Sequence, residues 1–302
     1  ASDVYKRQII PYGVKNVTTP SGKIYAISYL SPNYIYVGGD FINAGGIYAK
    51  NIAVYDISNN IWNGLVDSDY SVNGTNGIVR SLCFYNSRLY VGGEFTYAGG
   101  KYVNYIAEWN YSTNTWNALN GGGTNGYVYA LETNGSEIFI GGNFSDANGG
   151  GLTGVNNIVS YNSGTWSPLT DVTYGGSGVN GPVYAITFGS SLPYSIIIGG
   201  SFSGAAGGNI TASNIVGWTG QNFASLNGNG GEGTTGEVYA LAVGGWGINP
   251  NTNTIVYVGG GFTSVANGNL SAQYIAAYDY SNGSWSILCL LYTSDAADDT
   301  PC

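Results

Sequence analysis

The sequence VYALETNGSEIFIGGNFSDANGGGLTGVNNIVSYNSGTWSPL, from Val128 to Leu169, contains four short apolar runs separated by turn-forming residues. The same pattern occurs five times in the chain. In each copy the first run follows a glycine, and these runs span residues 24–27, 79–82, 128–131, 183–186 and 238–241. A regular internal repeat of this kind determines the fold class before any single residue does.

The later runs of each copy end on fixed residue types. The second run ends in a pair of glycines, and successive pairs are 54, 49, 58 and 60 residues apart. A phenylalanine follows each pair two residues later: Phe41, Phe95, Phe144, Phe202 and Phe262. The third run ends on an aromatic residue: Tyr55, Trp109, Tyr161, Trp218 or Tyr278. The fourth run contains Trp62, Trp116, Trp166, Phe223 or Trp285.

Short runs rich in Val, Ile, Tyr and Trp between Asn, Gly and Ser predict strands, and no segment has the spacing of an amphipathic helix. A single four-stranded sheet cannot bury both of its faces, whereas sheets stacked about an axis can. We therefore predict an all-β fold, a β-propeller of five four-stranded repeats. The predicted repeats span residues 22–65, 77–119, 126–169, 181–226 and 236–288, after a lead-in segment at 9–21.

The paired glycines and the aromatic residue seven positions before a tryptophan, as in Tyr55 and Trp62, resemble the kelch repeat. The third and fourth copies depart from that pattern, because Tyr161 to Trp166 is shorter and Phe223 replaces the tryptophan. The resemblance implies a propeller similar to the central domain of galactose oxidase. Kelch-like propellers include copper oxidases, intracellular adaptors and surface proteins, so the fold alone leaves the activity open.

The two ends of the chain differ from the repeats and are related to each other as DNA. Ser2 to Gln8 can be written TCA GAT GTG TAT AAG AGA CAG, and the reverse complement, read one base along, encodes Cys289 to Ser294. We interpret residues 1–8 and 289–302 as a sequencing adapter translated at both ends of a metagenomic fragment. On this interpretation the natural protein is longer, and both segments are unnecessary for folding.

Composition limits the possible partners and location of the protein. Without the two end segments, 6 basic and 13 acidic residues remain, a net charge of 6 − 13 = −7, which argues against nucleic acid as a partner. No apolar run is long enough to span a membrane. The 50 glycines and 27 tyrosines, with only 8% charged residues, are typical of extracellular proteins or proteins of a cell or virion surface.

The chain contains no histidine, which excludes Ser-His-Asp and Cys-His catalysis. The copper oxidases similar to galactose oxidase need histidine ligands and a Tyr-Cys pair, so that activity is not expected either. When the five copies are aligned, each position of the repeat forms a column of five residues. The column of Cys83 contains several residue types, so we interpret Cys83 as a structural thiol. We expect no catalytic residues, no metal site and no cofactor.

Two columns vary while their neighbours stay constant. The residue after the glycine pair is Asp40, Glu94, Asn143, Ser201 or Gly261, which predicts either a solvated loop position or a ligand contact. In the first run, Arg80 replaces a tyrosine that the other four copies keep. Variable loops on a constant scaffold are a usual place for recognition, so the candidate ligand-binding residues lie at one rim: Asp40, Glu94, Asn143, Tyr48, Tyr97 and Tyr102.

The sequence predicts a non-enzymatic recognition or adhesion propeller that binds a carbohydrate or protein partner. The alternative is the non-catalytic propeller portion of a larger secreted carbohydrate-active enzyme.

Overall fold

The computed structural model describes the backbone of residues 14–15 and the whole of residues 22–30, 32–189, 196–244 and 255–288. Both terminal segments that we interpret as adapter sequence lie outside these residues. The described part folds into five four-stranded antiparallel sheets, one per sequence repeat, which confirms the all-β propeller prediction. We call these sheets blades 1 to 5.

Each blade has its four strands in chain order. The strands of blades 1 and 2 are Lys23–Leu30, Tyr34–Asp40, Ile52–Asp56 and Ile61–Gly64, then Val79–Tyr85, Arg88–Gly93, Ile106–Asn110 and Thr115–Ala118. Those of blades 3 and 4 are Tyr127–Thr133, Ile138–Asn143, Ile158–Asn162 and Thr165–Pro168, then Val183–Thr187, Ile196–Gly200, Ile215–Trp218 and Phe223–Ser225. Blade 5 has Val238–Gly244, Ile255–Gly260, Ile275–Asp279 and Ser284–Ile287.

A two-stranded hairpin follows the second strand of every blade. The hairpins pair Asn43–Ala44 with Ile47–Tyr48, Tyr97–Ala98 with Lys101–Tyr102, Asp146–Ala147 with Leu152–Thr153, Gly204–Ala205 with Ile210–Thr211 and Ser264–Val265 with Leu270–Ser271. Val14–Lys15 adds a strand to the first hairpin, and Asn227–Gly228 pairs with Gly231–Glu232 between blades 4 and 5. The helices of the described residues are two single 3₁₀ turns, Asn148–Gly150 and Ala206–Gly208. No helix in these ranges is long and apolar enough to cross a membrane.

The hydrophobic core lies between consecutive blades. Four of its clusters combine residues of two neighbouring blades, and a fifth belongs to blade 1 alone. The predicted burial of the repeated aromatic residues is confirmed, since the exposed fraction is 5% or less for the five phenylalanines and 9% or less for Trp62, Trp116, Trp166 and Trp285.

The first glycine of each pair allows neighbouring blades to approach closely. A Cβ placed on Gly92 would lie 2.5 Å from a methyl group of Val128 in the next blade, too close for any side chain. Gly38, Gly141 and Gly199 meet Val79, Val183 and Val238 in the same way. We call this arrangement the valine-on-glycine contact.

Polar side chains in the loops between blades join each blade to the next. The carboxylate of Asp67, which is fully buried, accepts hydrogen bonds from the backbone N–H groups of Trp116, Asp69 and Tyr70. Lys101 Nζ lies 3.3 Å from the same carboxylate. Asp171 repeats this role in the loop between blades 3 and 4, where it accepts hydrogen bonds from the N–H groups of Phe223, Thr173 and Tyr174.

Candidate functional site

The candidate site is built on a β-bulge in the first strand of every blade. The register between the first and second strands shifts at the same place each time, for example between Val128 and Ala130. A bulge redirects a side chain out of the regular alternation. The redirected residues are Tyr25, Arg80, Tyr129, Tyr184 and Tyr239, and we call them the tyrosine strip.

Because the first strands of successive blades lie side by side, the members of the tyrosine strip follow one another. The ring centroids of Tyr129 and Tyr184 are 5.6 Å apart, and those of Tyr184 and Tyr239 are also 5.6 Å apart. At the other end, Arg80 Cζ lies 4.2 Å from the centroid of the Tyr25 ring, a cation–π contact. Tyr25 is 40% exposed and Tyr239 is 53% exposed, so both ends are open to a ligand.

Two further tyrosines extend the strip to one side. The ring of Tyr127 lies 6.2 Å from that of Tyr129 and 5.5 Å from that of Tyr105. Tyr105 has a left-handed backbone at φ 67°, in the position that asparagine occupies in blades 1, 3 and 4. Those asparagines instead hydrogen-bond to the backbone. Asn157, for example, accepts from the N–H of Phe144 and donates to the carbonyl of Val179. Tyr105 therefore replaces a structural hydrogen-bonding residue with an aromatic surface.

The only arginine of the strip is neutralised by a carboxylate. Arg80 Nη2 lies 2.6 Å from Glu94 Oε1, and its Nε donates to the same oxygen at 2.7 Å. Both side chains are about three-quarters buried, so this pair is less screened than a surface ion pair. Arg80 is the one exception in its repeat column, and Glu94 belongs to the variable column after the paired glycines. The structure shows that their charges compensate each other.

Three phenol groups of the strip, those of Tyr129, Tyr184 and Tyr239, have a raised pKa. Burial, and then the charge of Glu94, raise the pKa of Tyr129, while burial and then the charge of Glu237 raise the pKa of Tyr184. The Tyr239 hydroxyl donates a hydrogen bond to Glu237, which raises the pKa of Tyr239. The same hydrogen bond, followed by one from Ser201, lowers the pKa of Glu237. At neutral pH these three residues thus present protonated hydroxyls that can donate and accept hydrogen bonds.

The residues predicted at the rim form two groups. Glu94 belongs to the tyrosine strip through Arg80, and Asp40 and Asn143 occupy the same place in their blades, opposite Lys23 and Tyr127.

The predicted hairpin tyrosines form the other group. Tyr48 and Tyr97 line a shallow groove of about 480 Å³ together with Lys50 and Asn73. The Tyr102 ring packs edge-on against Tyr97 at 5.5 Å. The structure thus places Asp40 and Asn143 at the end of the second strands and Glu94 directly after one, while the three tyrosines lie in the hairpins that follow. Whether either group binds a ligand stays a prediction.

A wider groove of about 650 Å³ lies between blades 1 and 2, lined by Tyr34, Tyr36, Trp109 and Tyr111. Between blades 2 and 3 the corresponding space holds Tyr85, whose hydroxyl donates to Ser136 O and contacts Asn162. Leu30 holds the position of Tyr85 in blade 1, and its smaller side chain leaves the groove between blades 1 and 2 open. Tyr36 is buried, and burial is the main cause that raises its pKa to about 12.

Cys83, the one cysteine among the described residues, lies in the core between blades 2 and 3. Burial, reinforced by the charge of Glu132, raises the pKa of its thiol to about 12. The thiolate that a nucleophile or a metal ligand needs is therefore not formed at neutral pH. Across the described ranges, no three Cys, Asp or Glu side chains are grouped so that they could hold a metal ion.

Sequence comparison identifies the family. The family model of the Rax2 C-terminal β-propeller domain matches residues 14–181 and 69–243. The chain belongs to the Rax2 C-terminal β-propeller family. This membership supports the propeller fold and does not test the finer resemblance to kelch repeats, which stays a prediction.

Solved structures with related folds are distant in sequence, and none of the curated proteins matches the chain in sequence. The extracellular domain of the hybrid two component system BT4673 from B. thetaiotaomicron is 12% identical, with a TM-score of 0.52. The comparison covers 91% of this chain and 28% of that one. The computationally designed Ika8 protein is 17% identical, with a TM-score of 0.49 over 88% of this chain and 61% of the designed one. The chain thus spans less than two thirds of the length of either protein.

Proposed function

We propose that this Rax2-type propeller is a non-enzymatic recognition module that binds carbohydrate along the tyrosine strip. The observation that supports this function is the row of phenol rings at 5.6 Å spacing on adjacent inner strands. A tyrosine ring offers an apolar face and a hydroxyl, and a pyranose offers an apolar C–H face and a border of hydroxyls. The ring spacing is close to the length of one pyranose unit, so successive sugars of a chain can contact successive blades.

The polar groups beside the rings suit a neutral sugar better than a charged ligand. Arg80 and Glu94 cancel each other's charge, and Glu237 is occupied by the Tyr239 hydroxyl. These side chains can exchange hydrogen bonds with sugar hydroxyls while remaining paired. Asp40 and Asn143, in the same column as Glu94, extend the polar border along the strip.

Binding without turnover is part of the proposal. The chain has no histidine, and burial keeps the Cys83 thiol protonated.

The proposal also includes a surface or extracellular location, which the low share of charged residues and the many tyrosines support. A protein partner in place of a glycan would use the same exposed rings.

Retention of the full chain on a glycan array tests the function. We expect retention on a defined set of oligosaccharides and its loss in Tyr184→Ala, which removes the ring between Tyr129 and Tyr239. Tyr174→Ala is the matched control, because Tyr174 is a 58% exposed tyrosine in the loop between blades 3 and 4. Equal retention by Tyr184→Ala, or retention only on a protein surface, would overturn carbohydrate binding at the strip.

A hydrolase screen on the same glycans tests the absence of catalysis. We expect no release of reducing sugar. Turnover that Asp40→Ala or Glu94→Ala abolishes would refute the binding-only function.

A further inference from the structure

The groove between blades 1 and 2 lies apart from the tyrosine strip. Its volume of about 650 Å³ is within the range of clefts that hold small molecules, and residues of both blades line it. Tyr25 of the strip and Leu30 of the groove lie near opposite ends of the strand Lys23–Leu30. At about 3.3 Å per residue, these two positions are about 16 Å apart. A small molecule in the groove would therefore leave the strip free.

Between blades 2 and 3, a phenol ring of the chain itself fills the equivalent space. Tyr85, at the end of the first strand of blade 2, is only 7% exposed. Its ring centroid lies 6.2 Å from that of Tyr90, and its hydroxyl donates a hydrogen bond to Ser136 O. The structure thus shows one kind of group that fits this part of a blade interface, an uncharged aromatic ring with a hydroxyl.

In blade 1 this filling ring is missing, while the ring that it would contact is present. Leu30 holds the position of Tyr85 at the end of the first strand. Tyr36 holds the position of Tyr90 in the second strand. Both Leu30 and Tyr36 line the groove, so the space beside the Tyr36 ring is open where Tyr85 fills it in the next interface.

The groove also differs in charge from the equivalent space. At the interface of blades 2 and 3, Arg88 Nε lies 3.6 Å from Glu108 Oε1. The counterparts of these two residues in the groove are Tyr34 and Val54. Every residue that lines the groove is uncharged. A charged ligand would lose its hydration here without meeting an opposite charge, so the groove suits a neutral one.

Polar groups of the groove are available to a ligand. Tyr36 is 4% exposed, and its hydroxyl makes no hydrogen bond with the described residues. Burial, and then the neighbouring phenols of Tyr34 and Tyr111, raise the pKa of Tyr36 to about 12, so its hydroxyl can donate or accept a hydrogen bond at neutral pH. The exposed amides of Asn63 and Asn114 make no side-chain hydrogen bond in these ranges either. A hydroxyl that is this deeply buried without a partner gains a hydrogen bond when a ligand supplies one.

From these observations we infer that the groove binds a small uncharged phenolic molecule. Its ring lies beside Tyr36 as the Tyr85 ring lies beside Tyr90, and Trp109 extends the apolar wall. Its hydroxyl exchanges hydrogen bonds with Tyr36 and with the phenol of Tyr34 at the same groove. This site is independent of the carbohydrate function proposed for the tyrosine strip.

Titration calorimetry of the full chain with β-naphthol, a phenol that is uncharged at neutral pH, tests the inference. We expect saturable binding to one site and at least about tenfold weaker binding in Leu30→Tyr. The new ring should fill the groove as Tyr85 fills the space between blades 2 and 3. Leu30→Tyr should keep a cooperative thermal transition, because the repeat already accepts a tyrosine at this position. Benzoate, a ring of similar kind with a negative charge, should bind at least about tenfold more weakly than β-naphthol.

A second pair of variants tests the buried hydroxyl without filling the groove. Tyr36→Phe removes only the hydroxyl and should weaken β-naphthol binding by about threefold to tenfold, the effect of one neutral hydrogen bond. Tyr90→Phe is the matched control, because it makes the same change at the same repeat position between blades 2 and 3. The control should bind like the wild type.

Four results would overturn the inference. The first is a wild-type chain that shows no saturable binding of β-naphthol. The second is unchanged affinity in both Leu30→Tyr and Tyr36→Phe, and the third is an equal loss in Tyr36→Phe and Tyr90→Phe. The fourth is displacement of β-naphthol by an oligosaccharide that the chain retains on the array, which would assign the groove to the carbohydrate site.

Discussion

At the scale of single residues, the paired glycines determine how closely two blades pack. Gly141 and Gly259 hold the same position in their blades, but Gly141 is covered by Val183 and Ile186 and Gly259 is uncovered. A Cβ on Gly141 would lie 2.5 Å from Val183. We expect Gly141→Ala to lower the free energy of unfolding by about 1–3 kcal/mol, the usual cost of overpacking. Gly259→Ala should change it little, and equal losses in urea unfolding of dilute protein would contradict the valine-on-glycine contact.

The buried carboxylate of Asp67 should make stability depend on pH. Burial alone would raise its pKa, but three backbone N–H groups and the Lys101 ammonium together hold the pKa below its ordinary value. A carboxyl whose pKa is depressed on folding contributes stability above its unfolded pKa of about 3.9, and that contribution is lost as the pH falls toward the folded pKa. Urea unfolding of the wild type should therefore show a loss of stability below about pH 4.

Asp67→Asn should be less stable at neutral pH and should show a smaller loss in acid. Asp69→Asn is a suitable control, because the Asp69 side chain is 58% exposed and contacts Lys101 at the surface. An unchanged acid slope in Asp67→Asn would show that this carboxylate does not cause the pH dependence.

At the scale of the strand, the outer tryptophan joins each blade to the one before it. The Trp116 indole donates to Leu65 O at 3.1 Å, whereas the Trp62 indole has no acceptor among the described residues. We expect Trp116→Phe to destabilise the chain by about 0.5–1.5 kcal/mol more than Trp62→Phe, because only the first change removes an indole hydrogen bond. Leu65 O keeps its second hydrogen bond, from the backbone N–H of Gly74. Thermal unfolding of dilute protein measures the difference. Equal losses would show that the indole hydrogen bond contributes little.

The repeat columns explain which parts of the strands could be predicted from the sequence. Constant columns, such as Phe41 and its counterparts, are buried between blades, so they predicted the fold correctly. The bulge at Tyr25 and its counterparts left no local signal, because an extra residue in a strand does not change its composition. The coincidence of Arg80 and Glu94 in one repeat was visible in the sequence, but their contact follows only from the register of the two strands.

At the scale of the whole molecule, each blade is stabilised mainly by its neighbours, as in other repeat proteins. Blades 2 to 4 have neighbours on both faces, while blades 1 and 5 have one each among the described residues. In dilute protein, hydrogen exchange of the first strand of blade 1, Lys23–Leu30, should therefore be faster than exchange of Tyr127–Thr133 in blade 3. Equal protection of both strands, measured by mass spectrometry, would contradict stabilisation by neighbouring blades.

The exposure of individual side chains could not be predicted from the sequence, because a repeat pattern predicts only that consecutive copies contact each other. The exposure of Ile24 and the open space over Gly259 became visible only in three dimensions. The same applies to the separation of Glu94, directly after a second strand, from Tyr48 and Tyr102 on the hairpins.

The central functional claim is that ligand binds to the inner tyrosine strip and not to the hairpin tyrosines. Titration calorimetry with an oligosaccharide retained on the array should compare Tyr129→Ala/Tyr184→Ala with Tyr48→Ala/Tyr102→Ala. Our account predicts that the strip variant loses affinity by at least about tenfold, or about 1.4 kcal/mol, while the hairpin variant binds like the wild type. The reverse pattern, with affinity lost in the hairpin variant and kept in the strip variant, would contradict it.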